Sequence, residues 1–157
     1  MDYTFVPPHE FTFVDDIYRR LGDRAERDGL HSLSEQERSV LLVWWAQGII
    51  ANGGFEYFYE GACNMAEVAD AFQELGFSEA ADACRQSMAL FPPGVLGEDP
   101  ERCYEALTRL DAKYVKDFFL PLSRVVWATD DDNQLSAVAA NYIRSHADAF
   151  RSGTLNR

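Results

Sequence analysis

Cysteine is scarce in this chain, basic residues are missing from a long internal stretch, and no apolar run reaches membrane length. Cys63, Cys84 and Cys103 are far apart and form no CxxC, which argues against a secreted disulfide framework or a zinc site and leaves reduced core thiols. The opening MDYTFVPPHEF lacks a basic-then-apolar leader, and the longest apolar run, Val40 to Ala46, falls far short of the ~20 residues a membrane span needs. A cytoplasmic location and no membrane partner are expected. The patterns GxGxxG, GxxxxGK[ST] and HExxH are absent. His9, His31 and His146 are scattered, with no Glu-x-x-His pair, so no metal site is expected. The acids map to the outer faces of helices rather than to a cleft that would shift their pKa, and Cys84 faces inward without a base. The expectation is therefore no catalytic residue, no cofactor and no enzymatic activity.

What is present points to a folded acidic protein. At 157 residues the chain suits one domain that buries well over half of the surface its unfolded form would expose. Twenty-six acids against 14 bases give a formal charge of -12, which repels nucleic acid and anionic membrane and attracts basic partners. Disorder does not account for the acidity, because 47% of residues are hydrophobic and 13% aromatic.

No segment alternates in the manner of a strand, and no internal repeat appears. Residues 1–12 read as an extended arm, since Pro7 and Pro8 remove amide donors and disfavour helix in the residue before each. Thr12 with Asp15 suggests a cap for a first helix carrying Val14, Ile17, Tyr18 and Leu21 inward, ended by Gly29. Ser34 with Glu37 forms a capping box ahead of VLLVWWAQGII, a helix apolar nearly all round and so expected at the centre. NMAEVADAFQELG places Met65, Val68, Phe72 and Leu75 on one side and stops at Gly76; the next helix, Ser78 to Leu90, turns Ala80, Cys84, Ser87, Met88 and Phe91 inward. Their short link predicts an antiparallel hairpin. After the linker PPGVLGED, Asp99-Pro100 restarts a helix expected to run through Leu107 and Leu110 toward Phe118, with Pro121 breaking or kinking it. Asp130 to Asp132 precede a last helix, Gln134 to Phe150, and residues 152–157 read as a frayed tail. The result is a single all-α domain of about six or seven helices around a buried central helix.

Within Val40 to Gly61, Asn52-Gly53-Gly54 follows a helix and reads as its stop, with a positive backbone angle expected at Gly53 and with Phe55 and Phe58 tucked beneath the returning chain. Together LLVWWAQGII, NGGFEYFY, ALFPPG and DPERCYEAL resemble the bacterial all-helical domain family that includes a DNA-mimic protein, over roughly Leu33 to Tyr142. The resemblance implies a non-enzymatic helical domain, and a family member that occupies the DNA-binding surface of a transcription regulator. Trp44, Trp45, Asn52, Gly53, Gly54, Phe55 and Phe58, which carry the match, read as scaffold. Where the family often has glutamine after Gly-Gly-Phe-x, this chain has Tyr57.

The residues that could carry such a function are acidic. Between Arg38 and Arg85 there is no Lys or Arg, yet Glu56, Glu60, Glu67, Asp70, Glu74, Glu79 and Asp82 fall there. At about 100° per residue, Glu67, Asp70 and Glu74 lie within about 60° of one another, roughly opposite the apolar stripe. Their backbone anchors step by about 4.5 and 6 Å, and side-chain splay widens this toward the ~7 Å between phosphates on one DNA strand. Later acids are matched in sequence instead, Glu98 with Arg102 and Glu105 with Arg109 as i,i+4 pairs. The seven carboxylates are thus the expected partner-binding residues of an acidic module whose partner is a basic DNA-binding protein rather than nucleic acid itself. A homodimer stays open, as do an immunity-like inhibitor of a basic toxin nuclease and a small-molecule binder or enzyme using an aromatic pocket.

Overall fold

In the computed structural model, which describes residues 9–97 and 99–151, every regular element among the described residues is helical. The helices are α1 (His9–Asp28), α2 (Glu35–Gly61), α3 (Met65–Glu74), α4 (Ser78–Ser87), α5 (Pro100–Thr108), α6 (Ala112–Trp127), α7 (Gln134–Ser145) and the five-residue α8 (Ala147–Arg151). Short 3-10 turns follow α1, α4 and α6. The chain divides into two compact units, one of Met1–Leu41 with Asp130–Arg157 and one of Leu42–Thr129, and each is described by itself. No helix is long and apolar enough to cross a membrane, among the described residues.

In the first unit α1 packs on α7 and buries Val14, Ile17 and Leu21, as its spacing predicts. It begins at His9, so residues 9–12 are helical rather than extended and Thr12 is interior rather than a cap; residues 1–8 of the expected arm lie outside the described residues. Proline restricts the residue before it, and Pro8 therefore leaves His9 free to start the helix. Gly29, at φ 87°, ends α1. The capping box that starts α2 is complete: Glu37 N–H donates to Ser34 Oγ at 3.1 Å, and Ser34 N–H donates to Glu37 Oε1 at 3.0 Å. That same oxygen accepts from Arg24 Nη2 at 2.5 Å, and Glu37 is 1% exposed. A capping acid has become a buried ion pair. The expected last helix is two, because His146 leaves helical geometry (φ −118°, ψ 33°) with its Nδ1 2.8 Å from Tyr142 O. The expected tail, residues 152–157, lies outside the described residues.

In the second unit the aromatic knot is the core. Phe55, Phe58, Tyr59, Phe72 and Phe119 are each at most 1% exposed. Tyr59 lies 4.6 Å from Phe91 and 5.8 Å from Phe119 between ring centres, and its hydroxyl shares a 2.7 Å hydrogen bond with Ser87. Such pairs add to simple area burial, at about 0.5–1.5 kcal/mol each. The Asn-Gly-Gly segment does not stop α2, which bends at Gly54 and resumes through Gly61. The positive angle belongs to Gly54 (φ 76°, ψ −174°), not Gly53 as expected. Gly53 is needed for space instead: a Cβ there would lie 2.6 Å from the Tyr57 Cβ.

Two residues one turn apart on α6 serve the backbone at this bend. Ser123 Oγ accepts from Phe55 N–H at 3.2 Å, and Trp127 Nε1 donates to Ile50 O at 2.6 Å. Buried backbone groups require such partners. Pro121 sits within α6 on an exposed position and neither breaks nor ends it. The expected single helix from Pro100 onward is instead two, because Asp111 caps α6 by accepting from Tyr114 N–H at 3.0 Å. The Asp99 cap with Pro100 at the first helical position holds as expected.

Candidate protein-binding surface

The α3–α4 hairpin owes its geometry to how α3 ends. Gly76 (φ 91°) lets Phe77 N–H reach back to Phe72 O at 2.9 Å while Gly76 N–H bonds Gln73 O at 3.0 Å. The Phe72 and Phe77 rings close over this turn 6.3 Å apart, the apolar contact that accompanies a Schellman stop. Across the hairpin Gln73 meets Ser78 and Asp70 meets Arg85, a pairing that runs antiparallel. Met65, Val68, Ala69, Ala71, Phe72 and Leu75 are buried from α3, and Ala80, Ala81, Ala83 and Cys84 from α4. With that face committed to the core, the carboxylates face outward.

Glu67, Asp70, Glu74, Glu79 and Asp82 are all exposed. The stretch is not without a cation in space, however, as its sequence interval suggests. Arg85, from the edge of the interval, places Nη2 3.4 Å from Asp70 Oδ1 and Nη1 3.4 Å from Asp82 Oδ1. Fifteen positions separate Arg85 from Asp70, and only the antiparallel hairpin brings them together. Both contacts are long and exposed, with Asp70 81% and Asp82 67% open, so each contributes at most about 1 kcal/mol. Five carboxylates against one arginine leave the hairpin strongly negative.

Glu56 and Glu60 stand apart from this group by element, on the last turns of α2, where they line a groove with α5 and the start of α6. Glu79 and Asp82 edge a different cavity, against Pro121, Leu122 and Val125. Glu56 is half-buried, and desolvation holds its carboxyl above the usual range, with Glu60 adding to the effect and Lys116 opposing it. No local pattern marks this groove, since its walls come from segments some fifty residues apart. The matched acids expected on the later helix fare differently: among the described residues Glu105 and Arg109 form no ion pair, α5 ending at Thr108, and Glu98 lies outside the described residues.

The cysteines are buried and free. Burial pushes the Cys84 thiol up to about 12, the opposite of a nucleophile's requirement. Cys63 and Cys103 donate to the loop carbonyls of Gly97 and Val95. No group of three or more His, Cys, Asp or Glu is arranged to hold a metal ion, among the described residues.

A search of curated proteins and of solved structures returns no match. The family model described as DMP19-like protein matches residues 31–146, which runs from the turn before the capping box to the break at His146. Covering well over half of the 157 residues, that match places the chain in the DMP19-like protein family.

Proposed function

We propose that this protein is a non-enzymatic acidic module that occupies the basic nucleic-acid-binding surface of a DNA-binding protein, a transcription regulator in the first instance. The observation that carries the reading is the α3–α4 hairpin: five exposed carboxylates on a pair of packed helices that carries a single arginine, Arg85. Presentation on packed helices matters because a partner's Lys and Arg side chains then meet charges already in place, with less entropy lost on binding. Membership of the DMP19-like family and the resemblance to a DNA mimic support the same reading. A charged surface of this kind acts mainly on association rate and specificity, and it is screened over a Debye length of ~8–10 Å.

The test begins with capture from native cell lysate at low and high salt, followed by titration of the captured basic protein with DNA as competitor. Replacing Glu67, Asp70 and Glu74 together by Lys is expected to weaken binding tenfold or more. A control replaces Asp16, Asp23 and Glu26, three exposed acids of α1, by Lys, which changes net charge equally. It is expected to weaken binding far less. Equal loss in both variants would mean that bulk acidity alone matters, and normal binding by the hairpin variant would end the mimic reading.

A further inference from the structure

The groove lined by Glu56 and Glu60 combines two carboxylates with an apolar lining. Its floor is apolar, made by Leu107, Leu110 and Val115, and Tyr104 stands beside it with 47% of its surface open. Its volume is about 390 Å³, within the range of roughly 300–1,000 Å³ typical of ligand clefts. Glu56 and Glu60 are four residues apart on one helix and therefore stand one above the other, about 6 Å apart along the axis.

An anion is excluded by these carboxylates. A neutral apolar ligand would cover the floor but deepen the desolvation of Glu56 without compensating its charge. A lysine ammonium is compact and strongly hydrated, and it has no planar face to set against an aromatic ring. An arginine side chain meets every demand: its methylene stem covers apolar surface, its weakly hydrated plane stacks on tyrosine, and its fork of donors spans stacked carboxylates. Lys116, exposed on α6, is the cation that influences Glu56, and two carboxylates against it leave the groove negative.

We infer that this groove is a receptor for one arginine side chain of the protein's basic partner, held by Glu56 and Glu60 over the apolar floor and against Tyr104. The inference rests on the reading that the partner is a basic protein. It adds a shape-selective site to the charge-selective hairpin.

The groove can be tested without the partner. The probe is n-butylguanidinium, the arginine stem and head alone, titrated against methyl-labelled protein while the Leu107, Leu110 and Val115 methyl resonances are followed. Saturable shifts at these methyls are expected, weaker with butanol, which lacks the charge, and with guanidinium, which lacks the stem. Glu56→Gln with Glu60→Gln should weaken binding about fivefold. Ala112→Trp, at an exposed position lining the groove, should block it while the helical circular dichroism is retained. Absent shifts, equal shifts with butanol, or shifts unaffected by both variants would overturn the inference. Because the Glu67, Asp70, Glu74 triple variant is expected to leave this titration unchanged, a failed groove and a failed hairpin are told apart.

Discussion

The interiors of the two units treat acidic residues in opposite ways. In the first, Glu37 is drawn inside, where it caps α2 and binds Arg24, and Asp15 pairs with Arg19 along α1 at 2.9 Å. In the second, the interior is an aromatic cluster around Tyr59, and the acids of α3 and α4 are pushed to the surface, where Arg85 reaches Asp70 and Asp82. Acid content is thus a poor guide to role. A carboxylate that is buried and bonded is part of the fold, while one that is exposed and outnumbers its counter-ions is available to a partner.

The sharpest way to break this contrast is Glu37→Leu. It breaks the Glu37–Arg24 ion pair, in which Arg24 is 11% exposed, and removes half of the capping box, so a loss of about 3–5 kcal/mol is expected in chemical denaturation. A loss below about 1 kcal/mol, the scale of a surface pair, would erase the distinction between the units. Alkaline pH probes the second unit. Cys84 is raised from 9.0 to about 12 when folded, and Tyr59 is also raised, chiefly by burial. Both stay neutral in the folded chain while the unfolded chain ionises. Their stabilisation is therefore complete below about pH 9 and is lost as pH climbs toward 12, by a few kcal/mol in all. Cys84→Ala should flatten the Cys84 part of that decline, and native Cys84 should resist alkylation until the protein unfolds.

Smaller effects are expected at the bend. Gly54→Ala forces a side chain onto φ 76°, ψ −174°, a region essentially reserved for glycine, with Ser123 Oγ 3.2 Å from the new Cβ; about 1–3 kcal/mol should be lost. At Gly53 the backbone angle is not positive and the obstacle is the Tyr57 side chain, so Gly53→Ala should cost less than Gly54→Ala in thermal melting. The reverse order would show that crowding outweighs backbone strain here. Smallest of all is the stability change from Glu67, Asp70 and Glu74 to Lys, expected within about 1 kcal/mol because all three are exposed. A larger loss would return the hairpin acids to the fold and remove them from recognition.

Much of the scaffold was legible because it rests on short-range chemistry. The Ser34–Glu37 box, the Gly29 and Gly76 stops, the Asp99-Pro100 start and the inward faces of α1, α3 and α4 each need only residues within a turn or two. The helix boundary at Asp111 is equally local, yet the expectation of one helix through Leu110 toward Phe118 passes over it. Exposure of Glu67, Asp70, Glu74, Glu79 and Asp82 likewise followed from the helical period.

The sequence by itself determined an all-helical chain, the caps that start α2 and α5 and stop α1 and α3, and a hairpin with acids on its outer face, because hydrophobic period and capping act over three or four residues. Only the tertiary structure decided which polar groups from distant parts of the sequence meet. It carried Glu37 to Arg24, brought Arg85 back to Asp70, set Ser123 and Trp127 against the bend at Gly54, and built a groove around Glu56 and Glu60. Each of these joins residues twelve or more positions apart, and no local pattern encodes such a meeting. The packing of the helices supplies it, through apolar faces that fix which polar side chains arrive together.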